Sequence, residues 1–223
     1  MELYFGPLAC SMATRIALYE AGATAISEAT FTYVDTRTKR TGEGGDYLAI
    51  NPLGQVPALR LEGGDLLFEN QAILQYVADR YPAAHLAPPP GRANPAENGF
   101  ARARLQQWLS FVATELHKAV YIPLLVRDAP EGAREFARKL APARFAVLER
   151  HLEHNDFLLH GFSIADAYLT TVLNWSRAAG IDLAPWPSVL AYYQRMLKRP
   201  SVAKALAEEL ALYQEQEARR KAA

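Results

Sequence analysis

The chain has one cysteine, Cys10, and its surroundings suit thiol chemistry. It lies between a strand-like run at residues 2–5, ended by Gly6-Pro7, and a helix-like run at residues 11–21. Backbone amides at the start of a helix favour an anion there and lower a thiol pKa. A small buried hydrophobe is the plainer reading of a lone cysteine, and its place at a strand-to-helix turn argues against that. No second cysteine exists, so a dithiol cycle and an internal disulfide are both excluded, whereas a monothiol mixed disulfide is not. The five histidines are scattered without zinc-ligand spacing, and no metal is expected. Further along, Glu69-Asn70 falls where an apolar strand runs into a helix. The free amides of such a helix start seat a carboxylate. Asn70 is also a residue type that caps helices. Lys39 lies in a charged loop, and His117-Lys118 end an apolar helical stripe.

The elements that must hold these residues alternate in the first third of the chain. Residues 30–34 read as a second strand. Residues 35–46 carry charge and three glycines without apolar periodicity, which predicts a loop. Residues 56–61 and 66–68 flank Glu62-Gly63-Gly64-Asp65, a hairpin signal, and Ile73, Leu74 and Val77 then follow at helical spacing. Two strands joined through a helix should be parallel and the hairpin antiparallel, giving a mixed sheet. Three successive prolines, Pro88 to Pro90, with Gly91 and Asn94-Pro95 beyond, mark a linker over residues 82–95. The expected domains are therefore residues 1–81 and 96–223.

The second domain reads as helix throughout. Leu105, Trp108, Leu109, Val112 and Leu116 form one stripe, and Phe136, Leu140, Val147, Leu148 and Leu152 suggest another. Ser163-Ile164-Ala165-Asp166 has the form of a capping box. A last helix is expected over residues 189–198, stopped by Pro200, with a polar tail from residue 208 that frays.

Bulk composition restricts the class. Of 223 residues, 24 are Lys or Arg and 24 are Asp or Glu, so no global charge invites nucleic acid or anionic membrane. No run reaches the length of a membrane span, and the first residues do not read as a signal peptide. With one cysteine, a reducing cytoplasm is the expected location.

Three separated segments resemble the cytosolic glutathione transferases. They are Asn51-Pro52-Leu53-Gly54-Gln55-Val56-Pro57-Ala58-Leu59, then Leu67-Phe68-Glu69-Asn70-Gln71-Ala72-Ile73-Leu74-Gln75-Tyr76, and the box Ser163 to Asp166 followed by Ala167-Tyr168. Leu8-Ala9-Cys10-Ser11, Arg37-Thr38-Lys39-Arg40 and Glu115-Leu116-His117-Lys118 look most like the bacterial beta class. The resemblance implies a thioredoxin-like α/β domain with a mixed sheet, followed by an all-α domain that shapes the acceptor-substrate site. It also implies a homodimer.

The same resemblance implies a glutathione site in which Val56, ahead of a cis Pro57, pairs with the cysteinyl unit and Gln55 is a further binding residue. Glu69 would take the ammonium and Asn70 the γ-glutamyl carboxylate, although the family usually has serine, or in the beta class often glycine, at Asn70. Lys39 would approach the glycyl carboxylate, and His117 and Lys118 would face glutathione. Cys10 and His117 would be catalytic. Tyr4 and Ser11 are the nearby hydroxyl candidates, while Phe5 stands where many beta-class chains have tyrosine. Tyr121, Ile122, Leu124 and Trp175 are the apolar candidates for the acceptor pocket. The expected activity is conjugation of reduced glutathione to a small hydrophobic electrophile, with no cofactor beyond glutathione. A glutathione-dependent reductase or lyase working through a Cys10 mixed disulfide is the first alternative, and a non-catalytic binding or scaffold protein the second.

Overall fold

A computed structural model of the protein describes residues 1–89 and 98–222. It divides into two compact units, Met1–Leu86 together with Arg199–Ala223, and Ala87–Lys198. Prolines 88 and 89 belong to the described residues; Pro90, Gly91 and Asn94-Pro95 of the expected linker lie outside them.

The first unit holds a five-stranded sheet in the order β3-β2-β1-β4-β5. Its strands are β1 (Glu2–Phe5), β2 (Thr30–Asp35), β3 (Arg40–Thr41), β4 (Ala58–Arg60) and β5 (Leu66–Phe68). β1 and β2 run parallel with Leu3 opposite Phe31, and β1 and β4 run antiparallel with Leu3 opposite Leu59. The mixed sheet thus follows from its connections: a helix crossover joins parallel strands, and a tight Gly-Gly turn can only join antiparallel ones. The charged loop holds a short strand as well, because β3 pairs with the end of β2 through Val34 and Thr41. Two residues are too few to show a period-2 pattern.

Alternation along β1 sends its side chains to opposite faces. Tyr4 joins Val34, Tyr47 and Ala58 in one buried cluster. Helix α1 (Met12–Glu20) buries Met12, Ile16, Ala17 and Leu18, and packs on α2 (Asn70–Arg80) and α9 (Pro200–Ala222). The location of α9 differs from the sequence expectation. Pro200 begins this helix instead of stopping the preceding one, since proline's missing N–H costs nothing in a first helical turn. The polar tail does not fray. Val202, Ala205, Glu209 and Gln216 are buried along one side of α9, so it belongs with the first unit and not with the helices that precede it in sequence.

The second unit contains α3 (Asn98–Phe111), α4 (Ile122–Leu125), α5 (Glu131–Leu152), α6 (Ile164–Leu173), α7 (Ser176–Ala179) and α8 (Pro187–Leu197). Between α3 and α4 the chain stays helical but widens to π winding over Val112–Tyr121. Pro123 accounts for this locally. It has no N–H for the carbonyl four residues back, and its ring would crowd that carbonyl; the wider turn bonds Ile122 N–H to the His117 carbonyl instead. In α5 the buried face runs Ala137, Ala141, Phe145, Leu148 and Leu152, whereas Phe136 and Val147 of the expected stripe are exposed. The capping box at α6 is present. Asp166, fully buried, accepts from Ser163 N (3.0 Å) and Ser163 Oγ (2.8 Å), and also from Leu158 N (2.9 Å) and the Tyr192 hydroxyl (2.9 Å). Among the described residues, no helix is long and apolar enough to cross a membrane, and no group of three or more His, Cys, Asp or Glu is placed to hold a metal.

Candidate functional site

The turn after β1 carries Cys10. Ser11 Oγ donates to the Gly6 carbonyl and accepts from the Gly6 amide, both at 3.2 Å, closing the turn across its mouth. Leu8, left-handed at φ 57°, donates its N–H to Glu209 Oε2 of α9 at 2.7 Å. So braced, Cys10 sits partly buried just before α1, and its thiol donates to the Val56 carbonyl at 3.2 Å. Two of the expected site residues, far apart in sequence, are therefore in direct contact.

The two expected hydroxyl candidates are both engaged elsewhere. Ser11 is committed to Gly6, and Tyr4 donates to Glu2 at 2.7 Å with the Arg60 guanidinium over its ring. Burial, then the Glu2 carboxylate, pushes the Tyr4 phenol up to about 12, the wrong direction for stabilising a thiolate. Phe5 is core, packed edge-on to Phe31 and Tyr33 under the guanidinium of Arg15.

The Val56–Pro57 bond is cis. The segment leading to it is pinned at Gln55, whose carbonyl accepts from both the Tyr47 hydroxyl (2.8 Å) and Asn51 Nδ2 (2.7 Å). Lys39, itself left-handed at φ 58°, donates Nζ to the Gly54 carbonyl at 2.8 Å. The lysine stem crosses Gly54 so closely that a Cβ there would meet Lys39 Cδ at 2.8 Å, and Gly54 also has φ +59°, so both space and backbone require glycine. Glu69 is the N-cap residue of α2, strained at φ 67° and exposed. Asn70 is the first helical residue and not the cap. It is buried, its Oδ1 accepts from Thr14 Oγ1 at 3.0 Å, and its Nδ2 has no hydrogen-bond partner among the described residues. A buried amide donor at a helix N-terminus is suited to a carboxylate.

In the second unit His117 lies on the π segment, 6% exposed. Its Nδ1 is 2.7 Å from the Tyr168 hydroxyl, and its ring is 4.9 Å from that of Trp175. Burial, with the Lys118 charge adding to it, lowers its pKa to about 4, so the imidazole is neutral at pH 7. Lys118 is exposed. Of the acceptor-pocket candidates, Trp175 and Ile122 are half-buried. Leu124 is nearly enclosed and Tyr121 fully so, its hydroxyl 2.7 Å from Ser176 Oγ, which places Tyr121 behind the Trp175 ring as support.

Sequence reasoning missed Tyr47, Asn51 and Glu209. Asn51 lies within the quoted motif, and a polar residue fixed between strand segments is a recoverable signal. Glu209 had none, because a glutamate beside Glu208 near the chain's polar tail reads as solvated. There burial outweighs the Arg15 guanidinium 3.8 Å away and the Leu8 amide, and its carboxyl is pushed up to about 8.

A thioredoxin-like unit with a cis-proline turn beside a cysteine, together with a helical unit, is the build of a glutathione transferase. The sequence model for the glutathione S-transferase N-terminal domain matches residues 9–80, and that for the glutathione S-transferase C-terminal domain matches residues 131–195. Glutathione S-transferase GstA of Escherichia coli O157:H7 is 39% identical over 94% of this chain and 98% of its own. The sphingomonad glutathione S-transferase solved in complex with glutathione is 39% identical, with a TM-score of 0.84 over 94% of this chain and 98% of that one. The bacterial beta class enzyme of Sphingomonas chungbukensis is 38% identical, also at TM-score 0.84, over 94% and 98% of the two chains. The chain belongs to the glutathione S-transferase family.

Proposed function

We propose that the protein conjugates reduced glutathione to small hydrophobic electrophiles. The contact of the Cys10 thiol with the Val56 carbonyl at 3.2 Å carries this reading, because it puts a thiol against the peptide segment that leads into the cis proline. A cysteinyl peptide laid along Val56 would bring its own sulfur to Cys10. In this reading Val56 takes the peptide amide, Pro57 fixes the edge, and Gln55 is a further glutathione-binding residue. Glu69 takes the ammonium, the Asn70 amide the γ-glutamyl carboxylate, and Lys39 the glycyl carboxylate. Asn70 Nδ2, buried and with no acceptor among the described residues, supports the carboxylate role of Asn70.

Reaction requires the glutathione thiol to lose its proton to solvent. The thiolate then attacks the electrophilic carbon, the carbon–sulfur bond forms and the leaving group departs as an anion. Lowering the thiol pKa and aligning the two partners are the protein's contributions. With its pKa at about 4, His117 is a neutral hydrogen-bonding group and not a general base at neutral pH. The roles of His117 and Lys118 toward glutathione rest on the family resemblance, as does a homodimeric assembly, while a cytoplasmic location rests on the single cysteine. The aromatic group around Trp175, with Ile122, supports a role in taking an apolar acceptor; Tyr121 and Leu124 would act from behind it.

The position of Cys10 also favours a second reading, reduction or reductive removal of a leaving group through a Cys10–glutathione disulfide. Calorimetric titration with glutathione, followed by parallel assays of aryl-halide conjugation and disulfide reduction, tests both. Conjugation that survives Cys10→Ala supports the first reading. Disulfide reduction alone, abolished by that substitution, supports the second. No glutathione binding would overturn both and leave a binding or scaffold protein.

A further inference from the structure

We propose that the last turns of α9 latch the Lys39 loop, and that Arg220 is a positioning residue for glutathione acting through Asp35. The inference rests on the reading that this loop takes a glutathione carboxylate. Asp35 closes β2, and its Oδ1 accepts from three donors: Arg37 N (2.8 Å), Thr38 N (3.2 Å) and Arg220 Nη2 (3.3 Å). The first two bonds wind the chain into the turn that delivers Lys39, and the Asp35 carbonyl accepts from Lys39 N at 2.8 Å. Lys39 then makes the connections that matter for the site: Nζ to the Gly54 carbonyl, and its own carbonyl to Tyr47 N at 2.9 Å. Gly54 and Tyr47 both bear on Gln55, so a short chain of bonds runs from Arg220 to the strand edge at Val56.

The helical end of the latch is equally held. Arg220 is braced by Glu217 at 2.8 Å, and Gln216 is buried beside it on the same side of α9. Asp35 and Arg220 are largely withdrawn from solvent, their side chains 21% and 27% exposed. Burial alone would raise the Asp35 carboxyl; the Arg37 and Thr38 amides, Gln216 and the Arg220 guanidinium outweigh it and keep it below the ordinary carboxylate range. A carboxylate held by three donors does not swing out of its turn. Without the guanidinium, the same carboxylate has solvent as an alternative, and Lys39 has less reason to keep a left-handed backbone that non-glycine residues rarely adopt.

The test compares wild type with Arg220→Gln and Arg220→Lys, measuring the glutathione KM at saturating electrophile and tryptic cleavage within residues 37–40. Arg220→Gln should raise the glutathione KM about two- to five-fold, the range of a partly exposed ion pair, with kcat unchanged and faster loop cleavage. Arg220→Lys should restore most of both, and high salt should move wild type toward Arg220→Gln. An unchanged KM with unchanged loop cleavage overturns the proposal. So does a lowered thermal midpoint and kcat at constant KM, which would make Arg220 merely structural. Wild-type protein that fails to bind glutathione overturns the functional reading itself, and the latch as a device for glutathione falls with it.

Discussion

Asp166→Ala should cost far more than the loss of an ordinary helix cap. A cap is worth about 1 kcal/mol. Here the carboxylate satisfies two buried backbone amides, Leu158 and Ser163, and two buried hydroxyls, Ser163 and Tyr192. Alanine leaves all four without their acceptor in a site with no solvent access. The hydroxyls can rotate toward other partners, but the amides cannot. At about 1–3 kcal/mol for each stranded buried amide, and something more for the hydroxyls, the loss should reach about 3–5 kcal/mol. For a chain of this size that corresponds to roughly 6–20 °C in the thermal midpoint. Urea unfolding followed by both tryptophan fluorescence and far-ultraviolet circular dichroism measures it, with Asp166→Asn as companion. The amide side chain keeps one acceptor and should fall between wild type and alanine. A loss below about 1 kcal/mol for alanine would refute the reasoning, since it would mean the four donors find water or new partners without penalty.

Cys10 should be alkylated at neutral pH in the native protein, protected by glutathione, and converted by oxidised glutathione to a mixed disulfide visible by mass spectrometry. A thiol that reacts only after unfolding would refute its assigned role. The Glu209 carboxyl, pushed up to about 8 in the fold from an ordinary 4.5, contributes stability that is complete below about 4.5 and is lost as pH rises through about 8. Urea unfolding at pH 5 and pH 8 should therefore show a loss of about 2–4 kcal/mol in wild type and little slope in Glu209→Gln; equal slopes would refute the assignment. The His117 imidazole should titrate near 4 by nuclear magnetic resonance, and a midpoint between 6 and 7 would contradict its burial against Tyr168. Sedimentation should show a two-fold dimer, and an active monomer at micromolar concentration would exclude that assembly.

The parts of the fold that were legible in the sequence are those fixed by local rules. Gly63-Gly64 permits one kind of connection, and Ser163 with Asp166 names a helix start whatever surrounds it. The residues that went wrong are those whose role depends on a distant partner. Glu209 and Gln216 look like a solvated tail until Leu8, Arg15 and Asp35 are placed against them. Pro200 stops a helix or starts one depending on where the chain goes next. Val147 has the right spacing for a core stripe, but the α5 face that turns inward is set by Ala137 and Ala141, small residues that carry little apolar signal. In the candidate site, Cys10, Val56 and Lys39 could be picked out by type and motif, but the bonds of Tyr47 and Asn51 to one carbonyl could not.

The first unit is made from both ends of the chain, and this has a consequence for biosynthesis. During translation the strands and α1 leave the ribosome long before residues 200–222 exist. Until then the Leu8 amide lacks its acceptor and the face of α1 that receives α9 is bare. The unit therefore cannot be finished in the order in which it is made; its closure waits for the last helix, across the whole intervening helical unit, and is among the most non-local steps the topology allows. Nascent chains halted before α9 should be cut readily by protease within the turn that bears Cys10, and should lose that sensitivity only once α9 has emerged.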